Sequence, residues 1–123
     1  MKKVQWAAMN TAQLVDEFAA IAREQDHALL ANASAKYNRL YDRMAEIVDE
    51  LKHRPGDQRR ELMKLYEFPS VHVRLKAAIH TLAVAPAEAR HQLEIIAEMH
   101  WFPQTADALG MLRAMDQGRY IPT

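Results

Sequence analysis

A proline in mid-chain separates two of the predicted helices, and the second of these is apolar around most of its circumference. Pro69 fixes its own φ angle and disfavours the helical conformation at Phe68, so the preceding helix must end there. Ser70 can then cap a new helix that runs to about Val84. The apolar residues Val71, Leu75, Ala78, Ile79 and Leu82 recur at helical spacing, and Val73 and Ala77 widen this stripe. We therefore predict a central inner helix that is covered on more than one side.

The same spacing predicts two long helices before this segment. The first begins at Asn10 or Thr11, and residues 32–34 interrupt the pattern before the second. The predicted core residues of the first are Leu14, Val15, Phe18, Ile21, Ala22 and Leu29, and those of the second are Tyr37, Leu40, Tyr41, Met44, Ile47, Val48 and Leu51. The turn Arg54-Pro-Gly-Asp57 ends the second helix, and a short third helix is predicted from Gln58 to Glu67. Trp6 is expected to fold back on the first helix.

Two more helices are predicted after the central one. Pro86 suits a first helical position and opens a helix with the core residues Ala89, Leu93, Ile96, Ala97 and Met99. The last helix runs from about Gln104 to Gly118, with Leu109, Leu112 and Met115 as its expected core. Small residues stand four apart in this helix, at Ala106, Gly110 and Ala114. An interior glycine weakens a helix, so this row predicts that a neighbouring helix packs unusually close to it.

The predicted fold class is all-α, since no strand pattern is present. The Phe68-Pro69 pair recurs as Phe102-Pro103 about 34 residues later, each time at the joint of a helix pair. Repeated helix pairs of this length stack, so we expect a short right-handed α-α superhelix of about six helices in three pairs. An irregular six-helix bundle is the alternative. One domain over residues 1–123 is expected, with an N-terminal arm at 1–10 and a C-terminal tail at 119–123.

Composition narrows the functional classes. The chain has 16 basic and 16 acidic residues, so it has no global field that would attract nucleic acid or an anionic membrane. It has no cysteine, which excludes disulfides and thiolate metal sites. The N-terminus lacks the apolar region of a secretory signal, and no uncharged run reaches the roughly 20 residues of a membrane span. We expect a cytoplasmic protein that does not enter a membrane.

Two resemblances carry expectations of their own. The run from Phe68 to Ala78 resembles the inner-helix motif of HEAT and armadillo repeats, with Arg74 at the position of their arginine and Ser70 where those repeats commonly have aspartate. Most of the chain is similar to a small bacterial family catalogued as domain of unknown function two thousand and nineteen; the similar segments are residues 14–18, 38–44, 54–59 and 112–118. That resemblance implies an armadillo-like helical fold and no established activity or catalytic residues. Toxin neutralisation, or the binding of another protein, is only a role associated with such proteins.

Metal chemistry is the first catalytic hypothesis to weigh. Three Glu-x-x-His pairs have the spacing of dimetal helical bundles: Glu24 with His27, Glu50 with His53, and Glu88 with His91. At about 100° per residue, each histidine lies away from the apolar stripe of its own helix, so all three are expected to face solvent. A metal-dependent enzyme built on these pairs is kept as the third functional hypothesis.

No other catalytic constellation is recognisable in the sequence. His72 and His80 flank the central stripe and are expected to be hydrogen-bonded packing residues, because neither has a carboxylate or nucleophile nearby in sequence. The two serines lack a nucleophile motif, and no glycine-rich phosphate loop occurs. We therefore predict a protein that is not an enzyme, with no catalytic, cofactor-binding or metal-binding residues.

The middle of the chain is rich in basic residues. We predict that these side chains bind a partner, and they are Lys52, Arg54, Arg59, Arg60, Lys64, Arg74 and Lys76. An acidic protein suits such a surface, so a non-enzymatic protein-interaction module, which binds or neutralises a protein partner, is the first hypothesis. A nucleic-acid-binding helical-repeat protein is the second, although only Tyr66 and Phe68 supply aromatic groups nearby.

Aromatic residues near the C-terminus are a second candidate surface. Trp101, Phe102 and Tyr120 either cover the last layer of the core or stay open to a partner. Because a short stack of helices has two terminal faces, a homodimer that covers one of them is also a hypothesis.

Overall fold

The computed structural model describes residues 5–123, which contain five α-helices, two 3₁₀ helices and no strand. The prediction of an all-α fold is confirmed. In chain order, the elements are a 3₁₀ helix at Trp6–Ala8, α1 at Thr11–Leu30, α2 at Ser34–His53, a second 3₁₀ helix at Gln58–Glu67, α3 at Val71–Thr81, α4 at Pro86–Ala97 and α5 at Gln104–Asp116. The chain divides into two compact units, Met1–Glu61 and Leu62–Thr123. The single domain over 1–123 stays a prediction.

The first unit is built on two helices of 20 residues each, which pack against each other. Asn10 caps α1 in a reciprocal arrangement, in which its side chain accepts from the Gln13 amide at 2.8 Å and the Gln13 side chain accepts from the Asn10 amide at 2.9 Å. Asn32 ends α1 in the left-handed region, with φ of 54°, and the Ala33 amide donates to the Ala28 carbonyl. This closure turns the chain directly into α2.

The core of the first unit follows the predicted stripes with local corrections. Leu29 and Tyr41 were expected in the core but are exposed. In the last turns of α1 the buried residues are Gln25 and Ala28 instead. Leu29 is only about 20° from Phe18 in helical phase, but it stands one residue before the end of the helix and is 39% exposed there. Other predicted core residues are buried: Leu14, Val15, Phe18, Ile21, Ala22, Leu40, Met44, Ile47 and Leu51.

The N-terminal segment folds onto α2. Trp6 is buried, and its Nε1 donates to Glu46 Oε1 at 2.8 Å, while the Arg43 guanidinium lies 5.7 Å from the ring centroid. Trp6 was predicted to fold back on the first helix, and this was wrong about the partner, because its hydrogen bond and its cation contact are both to α2. Within the predicted N-terminal arm, residues 1–4 lie outside the described residues.

The third predicted helix has the expected bounds but is a 3₁₀ helix. Its buried residues Arg59, Leu62 and Leu65 recur every third position. A 3₁₀ helix has 3.0 residues per turn, so this spacing keeps all three side chains on one side. An α-helix would have rotated them apart.

Helix α3 has buried residues around most of its circumference, as predicted. Val73, Leu75, Ala77 and Ala78 have no solvent exposure. The Ser70 side chain caps the helix by accepting from the Val73 amide at 3.3 Å. The helix ends at Thr81, earlier than predicted. Ala85, which precedes Pro86, is not helical, with φ of −144° and ψ of 65°, and the chain between Thr81 and Ala85 forms a turn.

Helices α3, α4 and α5 enclose the core of the second unit, which is formed by Leu75, Ala78, Leu82, Ala89, Leu93, Ile96 and Ala108. In α5 the prediction for Leu109 is wrong. Ala108 occupies the core position, and Leu109 is 45% exposed. The suggested repeat places Leu109 at the same register as Leu75, which is fully buried, so the two segments differ in burial at that position.

The row of small residues in α5 also differs from expectation. Ala106 and Gly110 are exposed, and a Cβ built at Gly110 would meet no described atom within 4 Å. The predicted close neighbour is therefore not another helix in the described part of the chain.

Candidate functional site

Helix α3 contains two of the predicted partner-binding residues, Arg74 and Lys76, and no acidic residue. Both side chains are half-buried. Arg74 Nε is buried without a hydrogen-bond partner, and no carboxylate within residues 5–123 pairs with this guanidinium. Lys76 is two residues further on, about 200° around the helix, so the two cations leave α3 on different sides.

Arg54 is bound inside the first unit. Its Nε donates to Glu50 Oε2 at 2.8 Å, and its terminal nitrogens donate to the Thr11 hydroxyl and to the carbonyls of Trp6 and Met9. The planar guanidinium thereby joins the end of α2 to the chain before α1. These contacts give Arg54 a role in holding the unit together.

Arg59 is also engaged by its own chain. It is buried and forms a fork with Asp57, with Nε to Oδ1 at 2.9 Å and Nη2 to Oδ2 at 2.7 Å. The Arg59 hydrogen bond lowers the pKa of the Asp57 carboxyl, against the opposing effect of its burial. The Asp57 side chain also accepts from the Arg59 amide at 3.3 Å, which caps the second 3₁₀ helix.

Three further members of the predicted basic set lie at the surface to different degrees. Lys52 is half-buried, and its charge contributes to the lowered pKa of Asp57. Arg60 and Lys64 are exposed. The first unit contains Lys52, Arg54, Arg59 and Arg60, and the second contains Lys64, Arg74 and Lys76.

His72 has the packing role that the sequence predicted. It is 1% exposed, and its Nδ1 lies 3.2 Å from Gln104 Nε2, which acts as the donor. Burial, with a smaller contribution from the charge of Lys76, lowers the pKa of His72 to about 4. The imidazole is therefore neutral at physiological pH and lies too deep to contact a substrate. Sequence spacing could not identify Gln104 as its partner.

Two buried threonines connect the elements of the second unit. The Thr105 hydroxyl donates to the Ile96 carbonyl at 2.8 Å and accepts from the Trp101 amide at 2.9 Å. The Thr81 hydroxyl bonds to the Tyr66 hydroxyl, and burial raises the pKa of that tyrosine. The sequence analysis did not identify either threonine, because a threonine within a helix gives no pattern of its own.

The Glu-x-x-His pairs lie as their helical phase predicts. His27, His53 and His91 are all exposed. His53 Nδ1 lies 2.9 Å from the carbonyl oxygen of Asp49 on its own helix, and Glu50 pairs with Arg54. Within residues 5–123, no three His, Cys, Asp or Glu side chains converge in a way that could hold a metal ion.

The C-terminal aromatics are open to solvent. Trp101 is 59% exposed and Phe102 is 65% exposed, and Tyr120 and Ile121 are exposed as well. Of the two alternatives for these residues, an open surface fits this exposure and a cover over the core does not. Among the described residues, no helix combines the length and apolar character that crossing a bilayer requires.

Comparison with known proteins gives one family and one related structure. A crystal structure of the protein RPA1889 from Rhodopseudomonas palustris CGA009 is similar, with 50% sequence identity and a TM-score of 0.96, over 98% of this chain and 100% of that one. No curated protein matches the chain. The family described as Domain of unknown function (DUF2019) matches residues 12–116, and this protein belongs to that family.

Proposed function

We propose that this protein is a non-enzymatic interaction module that binds an acidic segment of a protein partner, with Arg74 as the central contact. The observation that supports this most directly is the half-buried guanidinium of Arg74, which pairs with no carboxylate in the described part of the chain. A carboxylate from a partner would form a fork with it in a partly desolvated position, where charge-assisted hydrogen bonds are strong.

The surrounding helix supports the same chemistry. Because α3 contains no aspartate or glutamate, its own side chains offer no competing carboxylate to Arg74. Arg54 and Arg59 have internal partners and are left out of the proposed surface. Lys76 lies on another side of α3 and would contact a different part of the partner. A HEAT-like or armadillo-like stacking of the helices, which the resemblance implies, would suit a protein whose surfaces bind partners.

The test is a pull-down from cytoplasmic extract of the source cell, compared across matched variants. Arg74→Glu should remove a partner that wild type retains, and Arg74→Lys should weaken it, because an ammonium cannot form the two-pronged contact. Arg39→Glu is the control: Arg39 is exposed on α2 and has no side-chain partner among the described residues. Circular dichroism confirms that each variant is folded.

An unchanged set of partners in wild type and Arg74→Glu would refute the proposal. The alternative, binding of nucleic acid, is tested by titrating the protein with fluorescent duplex and single-stranded DNA at two salt concentrations. Binding that weakens steeply with salt and is lost in Arg74→Glu would replace the protein partner with nucleic acid.

A further inference from the structure

One side of α5 is turned away from the core of its unit and faces solvent. The core-facing residues of this helix include Gln104, Thr105 and Ala108, which are buried. The opposite side, which we call the α5 face, consists of Ala106, Asp107, Gly110, Arg113 and Ala114, of which all but the half-buried Ala114 are exposed.

The α5 face has a symmetric sequence around its glycine. Asp107 stands three residues before Gly110, and Arg113 stands three residues after it. Ala106 and Ala114 stand four residues before and after. A two-fold axis that passes between two copies at the level of Gly110, perpendicular to both helices, would place Asp107 of one copy level with Arg113 of the other, twice, and Ala106 level with Ala114.

The two charged residues have no side-chain partner of their own. No hydrogen bond or ion pair forms on the Asp107 carboxylate or the Arg113 guanidinium anywhere in residues 5–123. Six residues separate them, a rise of about 9 Å along the helix axis, so they do not pair with each other. Opposite charges at equal distances from a central glycine are self-complementary only in an antiparallel pairing of two copies.

Gly110 makes close approach possible. No neighbour in the described part of the chain requires a glycine at this position, because a Cβ built there would meet nothing within 4 Å. Glycine weakens a helix interior relative to alanine, and small residues allow two helix backbones to come close together. A second helix lying across Gly110 accounts for this otherwise unfavourable residue.

We propose that two copies of this protein pair through the α5 face, with the helices antiparallel around a two-fold axis at Gly110. The helix has 13 residues and is about 20 Å long, which by itself gives less than the roughly 800 Å² per partner of a standard interface. Trp101 and Phe102 precede α5, and Tyr120 and Ile121 follow it, all of them exposed. Antiparallel pairing brings the aromatic pair of one copy towards the tail of the other and extends the buried area.

This pairing does not depend on the proposed binding of an acidic partner by Arg74. It is tested by measuring molecular mass over a concentration series with light scattering and sedimentation. The wild-type protein should change from monomer to dimer as concentration rises. Asp107→Arg and Arg113→Asp each place like charges opposite each other, so each should raise the dimer dissociation constant about tenfold or more.

Mixing the two charge variants gives the sharpest result. Asp107→Arg has only positive charges on the α5 face and Arg113→Asp has only negative ones, so the mixture should form a heterodimer with both ion pairs restored. Destabilisation of the fold could not produce this recovery. Asp42→Arg and Arg39→Asp are matched controls, on exposed positions of α2 without side-chain partners among the described residues, and should dimerise like wild type.

Gly110→Leu tests the close approach independently. Because the site is open in the single chain, the variant should stay folded, as circular dichroism would show, and should dimerise less than wild type. A wild-type protein that is monomeric at the highest soluble concentration would overturn the proposal. So would charge variants that dimerise normally, or a mixture of them that forms no heterodimer.

Discussion

The two compact units of this chain reach stability by different means. In the first, α1 and α2 each have 20 residues, and each helix buries a long apolar stripe. In the second, α3, α4 and α5 have only 11, 12 and 13 residues. The second unit also buries more polar side chains, namely His72, Thr81, Gln104 and Thr105, where the first buries Gln25 and Arg59.

This difference follows from helix length. A helix of five or six turns has enough apolar positions to fix its neighbour by burial alone, which is non-directional. Helices of about three turns have fewer, so hydrogen bonds between their ends contribute more to fixing their geometry. In the first unit, polar contacts join the N-terminal segment to α2, through Arg54 at the end of that helix and through the Trp6–Glu46 hydrogen bond.

The largest expected effect is in the first unit, at Arg54. Arg54→Met should lower the free energy of unfolding by about 3 kcal/mol, because it leaves Glu50 without its cation and two carbonyls without their donor. Arg54→Lys should lose most of the same stability, since an ammonium cannot reach all the acceptors in one plane. The measurement is urea unfolding followed by Trp6 fluorescence in a Trp101→Phe background, which reports the first unit.

The matched control for Arg54 is Arg39→Met, at an exposed position of α2 without a side-chain partner among the described residues. It should change stability by no more than about 0.5 kcal/mol. If Arg54→Met unfolds like the control, the first unit is held by its apolar stripe alone.

A smaller effect is expected in the second unit, from the titration of His72. Its pKa of about 4 in the folded protein lies below the ordinary value of 6.5, so between these values the unfolded chain binds a proton that the folded chain does not. This contribution to stability is complete above pH 6.5 and is lost as the pH falls towards 4. From pH 7 to about pH 4.5, it should cost about 2.5 kcal/mol.

His72→Asn isolates this contribution. Asparagine can place an acceptor near the position of Nδ1, where Gln104 donates, but it does not titrate. Carboxylates such as Asp57 also make the wild type sensitive to acid, and they are present in both proteins. The stability difference between pH 7 and pH 4.5, measured by urea unfolding, should therefore be smaller in the variant. Equal acid sensitivity in the two proteins would show that His72 is not desolvated.

The smallest effect compares one threonine from each unit. Thr105→Val removes a buried hydroxyl that bonds to Ile96 and Trp101, and it should cost about 1 to 2 kcal/mol. Thr11→Val removes a half-buried hydroxyl that accepts a hydrogen bond from Arg54 at 3.3 Å, and it should cost about 0.5 kcal/mol or less. Thermal unfolding by circular dichroism measures both. Equal costs would remove the distinction between the units.

The sequence predicted the helices well where the apolar pattern extended over several turns. The stripes of α1 and α2, the wide apolar surface of α3, and the starts of α3 and α4 at Ser70 and Pro86 were all recognisable, because each depends on residues close together in sequence. The prediction was wrong for single residues in both long helices, Leu29 in α1 and Tyr41 in α2, and in the short helix α5. In α5 the larger Leu109 was taken for the core residue, and the smaller Ala108 occupies that position.

The candidate site was less predictable, for a physical reason. The basic residues could be named from the sequence, but their availability depends on acceptors that are distant along the chain. Arg54 meets the carbonyls of Trp6 and Met9 more than forty positions away, whereas Arg74 meets no carboxylate within residues 5–123. The local sequence shows one difference, because Glu50 stands four residues before Arg54 and α3 has no acidic residue, but it gives no sign of the carbonyl contacts.

The sequence by itself determined that the chain is helical, where most helices begin and end, and which face of each long helix turns inward, since backbone preferences and apolar spacing are local properties. Only the tertiary structure decided which polar groups form hydrogen bonds or ion pairs within the protein and which remain at the surface. His72 with Gln104 belongs to the first kind, and Asp107 and Arg113 belong to the second. Hydrogen bonds and ion pairs are directional and short-ranged, so their partners are settled only when distant segments meet.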